Sequence, residues 1–367
     1  MTSKRVGVIG AGQLGRMMAL AGIPLDVDFV FYDEAQQSPC SNLGTSIQPS
    51  SGNALEQFIA SVDVVTYESE NTDLELIRQI NLQKPVYPGE LSLGKSQHRL
   101  TEKTEFNDLG IDTAKFLRVT SKDELVHACN KLGLPIVVKT TTMGYDGKGQ
   151  AVIKTKDDVD VAWAALAGNE LIAESFVNFS RELSVIAARD VKGNIQVYPI
   201  AENDHHDGIL RVSRVPVKNL CPEKEQQAKE FITLLLNHLD HVGVLTLELF
   251  DCEDGLVANE MAPRVHNSGH WSIEGSYCSQ FENHVRAICG MPLGNPQAKQ
   301  AASAMINIIG KNGDRDCVLS NANAHLHMYG KSERANRKLG HINVFGNSEL
   351  EVDASLEQLA DFISECG

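Results

Sequence analysis

Positive charge is what this chain has least of. Its 367 residues carry 33 Lys and Arg against 48 Asp and Glu, a formal net charge of -15. Nucleic-acid binding draws its affinity from Lys and Arg neutralising phosphates. An acidic chain without a basic run is a poor candidate for it, and no nucleic-acid partner is expected. A local anion pocket stays open, because net charge says nothing about one site. Long apolar runs are missing too. None approaches the ~20 residues of a membrane span, and the start "MTSKRVGVIG" turns straight into a strand without the apolar core of a signal peptide. A cytoplasmic protein with no membrane partner is expected. Cysteine is present at 40, 129, 221, 252, 278, 289, 317 and 366, but scattered, with no C-x-x-C pair. The eight read as small buried hydrophobes in a reducing compartment.

What is there is an ordinary globular balance, 42% hydrophobic and 22% charged. At roughly 100–200 residues per domain, two or three domains are expected. Up to about residue 95, apolar strands alternate with helical stretches. "RVGVIG", "DFVFYD" (28–33) and "VDVVTYE" (62–68) read as strands, 13–22 and "TDLELIRQIN" as helices, and "PVYPG" (85–89) as a short fourth strand. That rhythm implies βαβ units and a parallel sheet. Lys95 to Leu109 reads as one polar helix that ends the domain. The next region is α+β. "PIVVKTTTMGYDGKGQAVIK" is strand, glycine-rich loop and strand; "ELIAESF", "RELSVIAARD" and "NIQVYPIAEN" add strands; a long amphipathic helix follows from about Glu223 to Leu239. From about Gln300 come short strands ("AMINIIG", "AHLHMYG", "HINVFG") and a C-terminal helix.

Three glycine-rich or charged features carry chemistry. The first is "VGVIGAGQLGRMM", with Gly10-x-Gly12-x-x-Gly15 after a strand. Such glycines give a tight turn, and the helix behind them attracts an anion. NAD or FAD, another phosphorylated ligand, or plain packing all fit, and Asp33 even suits a ribose-binding acid. Against NAD stands the domain's size, with no second nicotinamide-binding half. The second is "TTMGYDGKGQ", where Gly144, Gly147 and Gly149 lie between two strands. A Walker loop would lead into a helix. This one reads as a hairpin tip able to close over phosphates as a lid, unless it is an ordinary turn. Lys139 in "IVVKT" favours the lid, because a Lys there would be costly to bury without an anion partner.

The third is "LTLELFDCEDGLVANE". A three-residue Glu253-Asp254-Gly255 turn would pair Cys252 with Leu256 and set Glu248 opposite Glu260. Like charges so opposed are destabilising. They persist if one is protonated or a cation lies between them, and Mg²⁺ takes one or two carboxylates plus nucleotide phosphates. A two-residue turn would shift this register, and a solvated surface pair is the alternative. Arg264, His266, Asn267 and His270 follow at once; the Arg suits a bidentate carboxylate or phosphate contact, and each His could equally be structural. "YGKSERANRKLGH" (329–341) gathers Lys331, Arg334, Arg337 and Lys338, a phosphate-monoester site or a solvated basic loop. His325 and His327 share a strand face and read as structural, without a nearby third ligand.

In this order, the segments "IGAGQLGRMM", "TYESEN", "SQHRLTEK", "VVKTTTMGYDGKGQ", "DGILRVS", "NEMAPRVHNSGHW" and "YGKSERANRKLGH" resemble the ATP-grasp superfamily of carboxylate-activating ligases. More closely, they resemble its 5-(carboxyamino)imidazole ribonucleotide synthetase family, over nearly the whole chain. The resemblance implies a mixed α/β and α+β ATP-grasp fold: a Rossmann-like parallel-sheet domain over 1–96, an ATP-grasp domain over 97–299 with a mobile glycine-rich lid subdomain at about 112–175, and a small β-rich C-terminal region over 300–367. It implies that Arg99, Lys139, Lys148 and the lid Gly144, Tyr145, Asp146, Gly147, Lys148, Gly149 and Gln150 hold ATP. Glu174, Ser175, Phe176 and Val177 would line the adenine pocket, Glu182 the ribose, and His205 the nucleotide site. Glu248 and Glu260 would hold Mg²⁺, with Asn259 adjacent. Gln13, Leu14, Glu68, Lys331, Arg337 and Lys338 would bind the aminoimidazole ribonucleotide. Arg264, His266 and Asn267 would face bicarbonate and its phosphorylated product, and with Lys148 at the ATP phosphates would serve catalysis. On this reading Asp33 becomes an ordinary strand-end acid. His98, Ser69 and Asn336 depart from the family's usual acid, apolar residue and Gly.

The implied reaction is ATP- and bicarbonate-dependent carboxylation of 5-aminoimidazole ribonucleotide through carboxyphosphate, by a homodimer. Its rivals are a formate-dependent phosphoribosylglycinamide ligase, which typically has an aspartate after the His of "PRVHNSG", an NAD-dependent oxidoreductase, and a silent nucleotide-binding protein.

Overall fold

The computed structural model describes residues 3–144, 149–166 and 168–364. Tyr145, Asp146, Gly147 and Lys148 of the expected lid lie outside the described residues. Three sheets organise the chain. Strands β1 (Lys4–Ile9), β2 (Val27–Tyr32), β3 (Thr45–Ile47) and β4 (Val64–Tyr67) form a parallel sheet in the order β3-β2-β1-β4. Helix α1 (Gln13–Gly22) joins the core on one face, and α2 (Ala54–Ser61) and α3 (Leu74–Asn81) on the other. With both faces covered, these strands have no polar side: Val6, Gly7 and Val8 of β1 and Val64 and Val65 of β4 are all buried.

The sequence expectations need two corrections here. Residues 85–89 form no strand; Val86 makes an isolated parallel bridge to Val65, and Pro85 and Pro88 lack the N–H a ladder requires. The fourth strand is β3, at one edge, which is three residues long with two of them exposed, too short and polar to announce itself. The polar stretch from Lys95 is not one helix either. It divides into α4 (Glu90–Ser96) and α5 (Arg99–Asp108). Tertiary bonds make the break: Gln97 Nε2 donates to the carbonyls of Glu70 and Thr72 at 2.9 and 2.6 Å, and the Arg99 N–H donates to Thr141 O at 2.9 Å.

The second sheet is antiparallel, in the order β5-β8-β6-β7. Its strands are β5 (Phe116–Val119), β6 (Ile136–Thr140), β7 (Gln150–Ile153) and β8 (Leu171–Ser175). Helices α6 (Lys122–Leu132) and α7 (Asp158–Leu166) share its core.

The third sheet has nine antiparallel strands, in the order β14-β13-β9-β11-β12-β15-β17-β16 with β10 on β9. They are β9 (Arg181–Arg189), β10 (Ile195–Val197), β11 (Ala201–His206), β12 (Ile209–Val215), β13 (Gly243–Cys252), β14 (Gly255–Ala262), β15 (Ala302–Ile309), β16 (Ala324–Met328) and β17 (Lys338–Gly346). The C-terminal strands thus extend the central sheet, β15 pairing with β12 at Val212 and Ile306. Helix α8 (Pro222–His238) buries Ala228, Ile232, Leu235 and Leu236, a helical stripe, against β9 and β13. Short α9 (Ser272–Gly275) and α10 (Gln280–Ile288) follow β14, and α11 (Arg315–Ser320), α12 (Glu349–Gln358) and α13 (Ala360–Ser364) close the chain. No helix among the described residues is long and apolar enough to cross a membrane.

Candidate active site

The glycine turn does end in an acid, and the acid is the protein's own; burial pushes its pKa up against the N–H bonds it accepts. Glu68, just past β4, accepts from the Gly12 N–H at 2.5 Å and the Gly15 N–H at 2.9 Å. A Cβ on Gly12 would come within 2.6 Å of that carboxylate, so Gly is needed for this close approach. Asp33 is not an idle strand-end acid: its carboxylate accepts from Ala11 N at 3.1 Å and Ala35 N at 2.7 Å, pinning the turn. Helix α1 then carries Gln13 toward Lys331, which donates to it from 318 residues away. Leu14 is buried in the core. Arg337 closes its own loop by donating to Ser332 O and Oγ at 3.3 and 2.9 Å. Lys338 begins β17, close enough to Glu248 to help hold its charge. Asn336 has φ 62°, a left-handed position that Asn tolerates almost as Gly does, which accounts for its standing where the family commonly has Gly.

The acidic hairpin differs from expectation in its turn and agrees in its result. The turn is two residues, with Cys252 paired to Gly255, not Leu256. Continued unbroken, that ladder would set Glu248 opposite Asn259 and turn Glu260 to the other face. A β-bulge intervenes. Leu249 pairs with Ala258 but Leu247 with Met261, so Glu248 faces both Asn259 and Glu260. A bulge of this kind re-aims a side chain, and here it restores the acid pair. Glu248 is not a solvated surface acid, whereas the Glu260 side chain keeps 44% of its surface open, on the pocket it lines. Glu248 pairs with His266 Nε2 at 3.1 Å, with side-chain exposures of 16% and 15%. Burial alone would raise its pKa; the hydrogen bond and charge of His266, then His205 and Lys338, bring it down to about 2. Glu260 lies 3.7 Å from Arg99 Nη2. Desolvation, then the charge of Glu248, pushes its pKa up. Asn259 Oδ1 is buried without a partner. Two carboxylates and an orphaned amide oxygen are hard donors that fit a divalent cation completed by phosphate oxygens. Among the described residues no third His, Cys, Asp or Glu joins them at ligand spacing.

Lys139 has a partner inside the protein. Its Nζ lies 3.0 Å from Glu174 Oε2, so the premise that it needs an external anion is corrected. Glu174, 5% exposed at its side chain, also meets Lys103 at 3.5 Å. Ser175 Oγ accepts from Lys115 N at 3.1 Å, Phe176 is half exposed, and Val177 follows beyond the strand end. Glu182 holds His205 Nδ1 at 3.1 Å; burial disfavours a charged His205, but Glu182 outweighs it and raises the pKa. Arg99 ties the β6–β7 hairpin to the acids, donating to Thr140 O at 3.0 Å and Gly144 O at 3.3 Å. The hairpin closes as Thr140 N donates to Gly149 O, and Gln150 pairs with Lys139.

Arg264 is half-buried against Glu70, to which its Nε donates. His266 also bonds Ser268 Oγ through Nδ1 at 2.8 Å. Asn267 exchanges amide hydrogen bonds with Asn307, at 3.0 and 2.7 Å. Glu70, Arg99, Glu102, Gly144, Glu248, Glu260, Arg264 and His266 line one pocket. His327 has more company than expected: it stacks on His341 at 4.4 Å and meets Glu274 at 3.0 Å. His98 pairs with Glu170 at 2.8 Å, and Ser69 Oγ accepts from Asn71 N at 3.1 Å, so both departures have local partners.

Three family models match along the chain: a ribonucleotide synthetase preATP-grasp domain over residues 3–97, an ATP-grasp domain over 104–281 and a phosphoribosylaminoimidazole carboxylase C-terminal domain over 303–355. The N5-carboxyaminoimidazole ribonucleotide synthase of Pseudomonas aeruginosa is 45% identical over 342 residues, covering 93% of this chain and 94% of that protein. The chain belongs to the N5-carboxyaminoimidazole ribonucleotide synthase family. Solved structures agree. The Thermus thermophilus synthetase superposes with a TM-score of 0.93 at 40% identity, over 98% of this chain and 99% of that one. The Aspergillus clavatus synthase, solved with ADP and 5-aminoimidazole ribonucleotide, gives 0.90 at 30% identity over 99% of both. The fold is ATP-grasp, and a member of this family is an ATP-dependent ligase.

Sequence reading missed Glu70, Glu102, Lys103 and Asn307. Glu70 stood in plain view in "TYESEN", where an acid just past a parallel strand end is placed to meet a ligand or its holder. Glu102 and Lys103 carry no signal, because α5 reads as polar all round while the fold buries it. Asn307 lies inside an eight-residue strand that is wholly buried, and only the fold reveals its partner.

Proposed function

We propose that this chain carboxylates the exocyclic amine of 5-aminoimidazole ribonucleotide, using ATP and bicarbonate, in purine biosynthesis. The observation that carries the reading is the bulge that sets Glu260 on the face of Glu248, in one pocket with Arg99, Arg264 and His266. Bicarbonate is a poor electrophile, so its oxygen first takes the terminal phosphoryl group of ATP, releasing ADP and giving carboxyphosphate. Arg99 and Lys139, with Lys148 of the lid, hold the phosphates and neutralise charge developing there. Mg²⁺, held by Glu248 and Glu260 with Asn259 beside them, would supply further neutralisation of the transferring phosphoryl group. Glu174, Ser175, Phe176 and Val177 bound the adenine, Glu182 the ribose, and His205 belongs to the nucleotide site. Arg264, fixed by Glu70, orients bicarbonate with His266 and Asn267. Lid closure excludes the water that would hydrolyse the intermediate. The amine then bonds to the carboxyl carbon, directly or through released CO₂, inorganic phosphate leaves, and the nitrogen loses a proton. Gln13, Leu14 and Glu68 wall the ribonucleotide pocket, and Lys331, Arg337 and Lys338 take its phosphate. The enzyme acts as a cytoplasmic homodimer.

The deciding assay is ADP release with bicarbonate and aminoimidazole ribonucleotide. Turnover that depends on the ribonucleotide is expected. Turnover only with formate and phosphoribosylglycinamide would select the other ligase.

A further inference from the structure

Helix α5 buries two adjacent charged residues: Glu102 is 2% and Lys103 1% exposed. Buried ions are costly unless paired and hydrogen-bonded. Lys103 is paired with Glu174, Glu102 is hydrogen-bonded, and both have a main-chain partner on β14. Glu102 Oε1 accepts from the Met261 N–H at 2.7 Å, and Lys103 Nζ donates to the Asn259 carbonyl at 3.0 Å. Strand β14 is one edge of the large sheet, and its outward side meets no further named strand, only an isolated bridge from Thr113 to Ala258. Ala258 N also points outward, donating to Asp112 O at 2.7 Å.

The spacing of these groups is informative. In an unbroken strand, main-chain groups alternate between the two edges. With the Ala258 N–H outward, the groups of Asn259 would turn inward, those of Glu260 outward and the Met261 N–H inward. Yet the Asn259 carbonyl and the Met261 N–H both face α5. Both contacts exist only when the extra residue sits between Ala258 and Met261, which is where the register shifts. Lys103 reaches the second sheet as well, through Glu174 at 3.5 Å.

We propose that Glu102 and Lys103 are positioning residues that hold the β14 bulge in the register placing Asn259 and Glu260 on the face of Glu248. Lys103 links that register to the lid sheet through Glu174. The inference rests on the reading of Glu248 and Glu260 as a divalent-cation site. Neither residue is assigned a contact with substrate. A variant that loses the clamp should keep its nucleotide pocket and lose the cation's contribution to it.

The test is calorimetric titration of the full chain with ADP, in Mg²⁺ and in EDTA, and with Mn²⁺ binding followed by electron paramagnetic resonance. Glu102→Leu and Lys103→Met should each lower Mn²⁺ affinity about tenfold or more, the scale for groups that orient metal ligands, and shrink the Mg²⁺ enhancement of ADP binding; ADP affinity in EDTA stays within about threefold of wild type for Glu102→Leu, while Lys103→Met, which also releases Glu174, is read by its Mn²⁺ affinity. Glu102→Gln keeps an acceptor for the Met261 N–H and should retain the enhancement. Should Leu or Met at these sites prevent folding, slow amide exchange at Met261 in wild type, as slow as in central β13, is the expected result; exchange at a free-edge rate overturns the clamp. A cation response in Glu102→Leu and Lys103→Met equal to wild type overturns this inference alone. A wild type whose ADP affinity ignores Mg²⁺ overturns the cation site, and the clamp's role with it.

Discussion

Glu68 occupies the N-terminal end of α1, its carboxylate 2.5 Å from the Gly12 N–H. That end of a helix is where a dinucleotide fold places its pyrophosphate. Here the site is filled by a side chain from the end of β4, and the glycines serve that side chain.

The first prediction follows directly. A pyrophosphate would have to expel Glu68 and lie against Asp33, so fluorescence titration with NADH should show no saturable binding. Glu68→Ala should cost about 2 kcal/mol of unfolding free energy, because two N–H groups at a helix end lose their acceptor. It should also raise KM for the ribonucleotide while leaving ATP affinity unchanged. A variant as stable as wild type in urea titration would refute the capping role.

How much of this was legible beforehand depends on the kind of information. The strands of the parallel sheet were readable because burial on both faces leaves an apolar run, as in Val64 and Val65. The helix α1 was readable from the glycine turn before it. What could not be read was anything set by a partner distant in sequence. The break between α4 and α5 is made by bonds to Glu70, Thr72 and Thr141, and no local propensity encodes it. The opposition of Glu248 and Glu260 was anticipated from a three-residue turn, whereas a two-residue turn and a bulge produce it. The bulge has no sequence signature of its own, since the groups that hold it belong to α5.

The acid pair itself gives the second prediction. Glu260→Gln keeps the shape of the side chain and removes its charge, and with it a donor for the cation. ATP turnover should fall roughly 100- to 1000-fold, the range for removing one electrostatic contact to a reacting group. Near-normal turnover, measured as ADP release at saturating Mg²⁺, would sink the assignment of Glu260 to the cation.

Lys331 meets Gln13 across the junction between the first helix and the C-terminal strands. Burial, then the neighbouring Arg337 charge, lowers its pKa, while Glu68 works the other way. A partly desolvated cation in this position is suited to a phosphate monoester. Lys331→Met should raise KM for the ribonucleotide by roughly 10- to 100-fold, the worth of one charge-assisted contact. The nucleotide affinity, read by ADP calorimetry, should not move. Equal losses for both substrates would place Lys331 elsewhere in the mechanism.

The Glu70–Arg264 pair gives the last prediction, because its sign can be worked out. Burial alone would raise the Glu70 pKa, but the charge and hydrogen bond of Arg264 outweigh it and hold the carboxyl at about 2. An ordinary glutamate titrates near about 4.3. The folded state therefore binds a proton at Glu70 less readily than the unfolded chain does. The stabilisation is complete above the ordinary value and is lost as pH falls from about 4.3 toward 2. Its size by linkage is about 3 kcal/mol. Urea unfolding between pH 6 and pH 2.5 should show wild type losing stability more steeply on acidification than Glu70→Gln. The variant should be less stable at pH 6 and the two should converge at the acid end, since Arg264 stays half-buried in both. Its turnover should fall as well, because Arg264 loses the carboxylate that fixes its plane, and KM for ATP should change less than kcat. Parallel stability curves would show that Glu70 and Arg264 are adjacent without being coupled, and would leave the orientation of Arg264 to its bond with the Val265 carbonyl at 3.1 Å.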